Sequence, residues 1–204
     1  MSVERKVVYY EQPGKEHTEK TLRIALEGAK QREIDTIIVS STTGYTAEKA
    51  AQIYKDSGLK LVVVTHATGY RDKGVQMMPD ETRSRLKSMK IEVVTCTDVL
   101  TGAVSVGIGR QGPEKSDPLE ARLPFITPPP NVIVANTLRM FSQGVKVCAE
   151  VAMMACDCNV VPSGKKVVVV AGSHSGADTA MVLEAAESTR IRDLKLQEIL
   201  CKPL

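Results

Sequence analysis

Five short runs rich in Val, Ile and Thr punctuate the chain, at residues 6–10, 36–41, 59–65, 91–97 and 165–171. Their apolar content is nearly continuous and lacks the polar alternation of a half-exposed strand. Strands that read this way are buried on both faces, as in a parallel sheet covered by helices. The intervening segments supply those helices. Residues 18–31 place Leu22, Ala25, Leu26 and Ala29 on one stripe, and residues 46–56 do the same with Ala47, Ala50, Ala51 and Tyr54. Residues 80–89 form a third, more polar helix, with Asp80 expected as its cap after Pro79. Strand and helix alternate, which predicts a three-layer α/β/α fold around a mostly parallel, doubly wound sheet.

The rhythm breaks at residues 101–131, where Gly102, Gly107, Gly109, Gly112, Pro113, Pro118, Pro124 and the run Pro128, Pro129, Pro130 read as an irregular insertion in a single domain. A long helix is expected next, over 132–156, with Leu138, Phe141, Val145, Cys148, Ala152 and Ala155 on one row. A second row, Met140, Val147, Val151 and Met154, broadens the apolar face toward a sheet or a second subunit, so a homo-oligomer is expected. Residues 193–201 read as an edge strand with antiparallel pairing.

Composition removes several classes of function. The net charge of +3 is small and the basic residues are dispersed, while aromatic residues make up 3% of the chain and Trp is absent. Neither the electrostatic footprint nor the stacking platform of a nucleic-acid binder is present. No apolar run approaches the ~18 residues of a membrane span, and the first residues lack the apolar core of a secretory signal, so a cytoplasmic protein without membrane association is expected. The five cysteines, an odd number in a chain of this size, read as reduced thiols.

In an open parallel sheet, ligands bind beyond the carboxyl ends of the strands, so the loops that follow the strands carry the functional reading. The 40–46 loop offers hydroxyls at Ser41, Thr42, Thr43 and Thr46 around Gly44 at a helix start. Hydroxyl donors, unpaired amides and the positive helix end would then converge on one anion, which describes a phosphate site without a Walker lysine. The alternative is an ordinary strand-to-helix turn with one Thr as its cap; the density of hydroxyls favours phosphate. The 172–179 loop repeats the idea with Gly172, Gly176, Ser173, Ser175 and Thr179, and Asp178 reads as a loop anchor or a ligand contact. All three histidines, His17, His66 and His174, fall in strand-end loops. No short ligand spacing links them, so no metal is expected, and His66 and His174 are candidates for ligand hydrogen bonds or proton transfer.

The stretch from Asp35 to His66, with Thr-Ile-Ile-Val-Ser-Ser-Thr-Thr-Gly-Tyr-Thr-Ala followed by Leu-Val-Val-Val-Thr-His, resembles the C-terminal α/β domain of pyruvate kinase. The later Ala-Gly-Ser-His-Ser-Gly-Ala-Asp-Thr-Ala is similar to a glycine-rich region of the same domain. In many pyruvate kinases this pair of loops holds a sugar-bisphosphate activator. Length and the Glu11-x-Pro13-Gly14 opening resemble stand-alone archaeal relatives of the domain that bind flavin mononucleotide (FMN). The resemblance implies phosphate contacts from Ser41, Thr42, Thr43, Gly44 and Thr46. Thr65, His66 and the residues Gly172, Ser173, His174, Ser175, Gly176, Asp178 and Thr179 would flank the ligand. No catalytic barrel accompanies these motifs, so phosphotransfer to ADP is not implied. The expectation is a binding protein for a phosphorylated small molecule, FMN foremost, with a flavin-dependent oxidoreductase or a sugar-phosphate-sensing module as alternatives.

Overall fold

A computed structural model describes residues 2–102 and 129–204; most of the expected insertion at 101–131 lies outside the described residues. The described chain forms one seven-stranded sheet in the order β1-β7-β6-β5-β2-β3-β4. Its strands are β1 (Val8–Tyr10), β2 (Thr36–Ser40), β3 (Lys60–Thr65), β4 (Glu92–Thr95), β5 (Lys166–Ala171), β6 (Thr179–Glu184) and β7 (Lys195–Pro203). The helices are α1 (Thr18–Gln31), α2 (Tyr45–Tyr54), α3 (Asp80–Ser88), α4 (Pro130–Arg139) and α5 (Gln143–Asp157). β5, β2, β3 and β4 are parallel neighbours, and only β6 runs against the other strands. The mixed α/β architecture is the one the alternating pattern predicts.

The continuous Val/Ile runs are explained by two cores, one on each face. Ile37 and Val39 of β2, Val63 of β3 and Val168 and Val170 of β5 point into a core covered by α1, α2 and α3. Their neighbours Ile38, Val62, Val64, Val167 and Val169 point into a second core covered by α5. With both faces apolar, a shift of strand register would still bury hydrophobic side chains, so the helices and loops must fix the register.

Three expectations are corrected. The long helix over 132–156 is two helices, because Ser142 starts α5 by accepting the Val145 amide on its hydroxyl at 3.1 Å. Met140 and Phe141 consequently sit in the connecting turn, 85% and 58% exposed, rather than on an apolar face. The broad face of α5 is satisfied within the chain, against the sheet on one side and, through Met153, against Ala135 of α4 on the other. Residues 195–203 are not an edge: β7 pairs antiparallel with β6 and parallel with β1, and the Leu204 amide donates to the Tyr10 carbonyl. At α3, Pro79 occupies the cap position and Asp80 the first turn, where its charge faces the helix N-terminus. No helix among the described residues is long and apolar enough to cross a membrane.

Candidate functional site

β2 and β5 are parallel neighbours, so the 40–46 and 172–179 loops leave adjacent strand ends. A third segment joins them. Lys15, which precedes α1 in a short 3-10 turn, places its Nζ 3.9 Å above the ring centroid of Tyr45, the first residue of α2. The same segment supports the late loop, since the Ala177 amide donates to Thr18 Oγ1 at 3.0 Å. A Cβ at Gly176, whose φ is +72°, would sit 2.9 Å from Lys15 Cα. Glycine is required there both by the left-handed conformation and by this close approach.

The start of α2 is built to stay open. Gly44, in the left-handed region at φ +100°, occupies the cap position and has no side chain with which to close the helix. Ser41, buried below it, reaches forward instead and accepts the Ala47 amide on its Oγ at 3.2 Å. No acceptor among the described residues meets the amides of Thr42, Thr43 and Gly44. Thr42 is half-buried and Thr43 exposed. Thr46 is nearly buried, but its hydroxyl makes no hydrogen bond, and no buried side-chain oxygen among the described residues lacks a partner; that oxygen therefore reaches solvent. Open amides, free hydroxyls, the positive helix end and the Lys15 ammonium together form a concentration of donors with no internal acceptor. Replacing Ser41 by Ala removes the substitute cap and is expected to lower unfolding free energy by about 0.5–2 kcal/mol, read from the urea midpoint.

The late loop is differently made. Asp178 is buried and its carboxylate accepts the Ser173 amide at 3.2 Å and the Thr179 hydroxyl at 2.9 Å, so both Asp178 and Thr179 hold the loop's shape. Gly172 serves the same end: a Cβ there would meet the Gly176 carbonyl oxygen at 2.5 Å. The loop leads into antiparallel β6 rather than into a helix, so it brings no helix dipole to the site. His174 and Ser175 are exposed at its tip.

Thr65 and His66 belong to a second cluster at the ends of β3 and β4. The His66 ring donates its Nδ1–H to the buried Asp98 carboxylate at 2.8 Å and stacks on Tyr70 with centroids 3.9 Å apart. Thr65 Oγ1 lies 2.8 Å from Thr95 Oγ1, which also accepts from Arg83 at 2.7 Å. α3 connects the two clusters: Thr82 packs on Gly44, whose Cβ would lie 2.5 Å from Thr82 Cγ2, and the adjacent Arg83 faces Thr95. His17 stacks on Tyr10 and bonds the Gln12 carbonyl at 3.0 Å. Among the described residues no group of three His, Cys, Asp or Glu side chains is placed to hold a metal ion.

Sequence reasoning did not single out Lys15 or Asp98. Lys15 directly follows the Glu11-x-Pro13-Gly14 opening, but nothing in its neighbourhood signalled the reach to Tyr45. Asp98 pairs with a residue 32 positions away. A shallow groove of about 330 Å³ between α1 and α2 is lined by Glu19, Arg23, Lys49, Gln52 and Ile53. It includes no residue of the two loops and is not the site.

The known structures similar to this chain include two crystal structures of pyruvate kinase from Cryptosporidium parvum. Each is 14% identical over 83% of this chain, with TM-scores of 0.39 and 0.37. The match spans 23% and 22% of those chains, so this protein covers less than a quarter of their length. The family model of the pyruvate kinase alpha/beta domain matches residues 19–183, from α1 through β6 and including both loops. By that match the chain belongs to the pyruvate kinase alpha/beta domain family.

Proposed function

We propose that this protein binds a phosphorylated small molecule at the open N-terminus of α2, with FMN as the first ligand to test. The observation that carries the reading is the set of unpaired donors there: the amides of Thr42, Thr43 and Gly44 and the Thr46 hydroxyl, with Lys15 over Tyr45. The residues fit a phosphate dianion in number and charge. For the remainder of such a ligand they offer the Tyr45 ring and the exposed tip at His174 and Ser175. Asp178 and Thr179 support this site by fixing the late loop, and Ser41 by holding the helix start.

Purified protein is expected to carry yellow absorbance, or to gain thermal stability when FMN is added. A colourless protein with no shift after refolding in FMN would exclude that ligand. A shift with a sugar bisphosphate in the same assay would then assign the site to the activator class that the family resemblance implies. Within the loop, Thr43→Ala combined with Thr46→Val removes two hydrogen bonds to a charged group, each worth ~1.5–3 kcal/mol. Affinity for the bound ligand is expected to fall at least tenfold, measured by calorimetric titration. Unchanged affinity would reduce the loop to a helix start.

The His66–Asp98 pair favours a second reading, a flavin-dependent oxidoreductase. A buried carboxylate on Nδ1 fixes the imidazole and leaves Nε2 to exchange a proton. That reading requires bound flavin to be bleached by a reduced nicotinamide or another donor, and His66→Gln to slow the bleaching without releasing the flavin.

A further inference from the structure

Three of the five thiols, Cys148, Cys156 and Cys201, are buried, while Cys96 and Cys158 are half-buried. These two come from distant parts of the chain, Cys96 just beyond β4 and Cys158 at the cap position that ends α5. They meet on one carbonyl. Cys96 Sγ donates to the Met154 oxygen at 3.9 Å, and the Cys158 amide donates to the same oxygen at 3.0 Å. The Cys158 side chain is also among the neighbours that raise the Cys96 thiol.

We propose that Cys96 and Cys158 form a reversible disulfide that ties the edge strand β4 to the C-terminal end of α5. Disulfide chemistry needs two sulfurs already close, backbones that need not move far, and access for an oxidant. The convergence of both residues on one carbonyl oxygen, with Cys158 a neighbour of the Cys96 thiol, meets the first requirement. The shared Met154 carbonyl meets the second, because it sets where each residue lies. Partial exposure, which the other three cysteines lack, meets the third.

The reaction balances with glutathione disulfide as oxidant. The Cys158 thiolate attacks one glutathione sulfur, forming a mixed disulfide and releasing one glutathione thiolate. Cys96 then attacks Sγ of Cys158, the mixed disulfide breaks, and the second glutathione leaves. Two protein thiols are oxidised, one glutathione disulfide is reduced to two glutathiones, and the two protons end on them. Burial, followed by the neighbouring Cys158 and the charges of Asp98 and Asp157, pushes the Cys96 thiol up to about 12. That disfavours Cys96 as the first attacker and suits it to the second, intramolecular step, which should quicken as pH rises.

The test uses the full chain incubated with glutathione disulfide, then denatured and alkylated. Thiol titration should fall from five reactive cysteines to Cys148, Cys156 and Cys201 alone, and peptide mapping should recover a Cys96–Cys158 cross-link that dithiothreitol reverses. Either C96S or C158S should retain glutathione as a stable adduct or stay reduced, with no internal cross-link. Separate glutathione adducts on Cys96 and Cys158 of the unmodified chain, a cross-link through another cysteine, or covalent dimers would each overturn the proposal. The readout is independent of any ligand, so its failure leaves the phosphate reading untouched.

Discussion

Replacing Glu150 by alanine is expected to lower the unfolding free energy by about 3–5 kcal/mol, a large part of what a domain of this size possesses. Glu150 and Lys146 face each other one helical turn apart on α5, with side chains only 4% and 3% exposed. The carboxylate does more than neutralise the lysine. Its Oε1 accepts the amides of Leu100 at 2.8 Å and Thr101 at 3.0 Å, and Lys146 Nζ donates to Thr101 Oγ1 at 2.6 Å. Truncation therefore strands a buried ammonium, the buried Leu100 amide and the half-buried Thr101 amide together. Pairing the change with Lys146→Met removes the orphaned charge, so the double variant should recover part of the loss. The unpaired amides keep it from recovering all. Urea denaturation of the three proteins measures both numbers, and a loss below about 1 kcal/mol in the single variant would show that the network does not anchor the segment.

Gly144→Ala should destabilise at or above the upper end of the usual overpacking range of about 1–3 kcal/mol, although helix propensity alone favours Ala by up to ~1 kcal/mol. The residue lies in the first turn of α5, against the root of β6. An added Cβ would collide with the Thr179 hydroxyl and stand 2.5 Å from Thr179 Cβ and 3.1 Å from Asp178 Oδ1. Thr179 and Asp178 are 0% and 1% exposed, so neither can swing aside. Either α5 lifts from the sheet or the Asp178 anchor of the late loop is displaced. Thermal unfolding decides the sign. A variant more stable than the parent would mean that the helix end does not press on β6.

These two sites mark where sequence patterns stopped. Ile37, Ile38 and Val39 announce a strand buried on both faces, because no other environment accepts three consecutive β-branched side chains so cheaply. The stripes of α1 and α2 were equally plain. The hydroxyls around Gly44 showed where a loop could hold an anion, since their density needs no partner to be noticed. Glu150 and Gly144 carry no such signal: a charge within an apolar helix and a glycine at a helix start acquire meaning only from Thr101 and Thr179, which are far away along the chain. β6 was missed for a different reason. Thr179 to Glu184 contains Ala, Met, Leu and Glu, which suit a helix as well as a strand, and only the Val168–Val182 pairing settles the matter. Likewise Ser142 splits the apolar rows of 132–156 without interrupting their spacing, so the period ran on through a turn.

The pairing of β1 with β7 has a practical corollary. Because these strands run parallel and the Leu204 amide closes on Tyr10, the chain's last described residue emerges on the same rim as Lys15, beside the loops that would receive a ligand. Anything appended at Leu204, whether a purification handle, a fluorophore or a fused protein, is delivered to that rim. An acidic handle would compete with an anionic ligand for Lys15, whereas a dye there becomes a proximity reporter of occupancy.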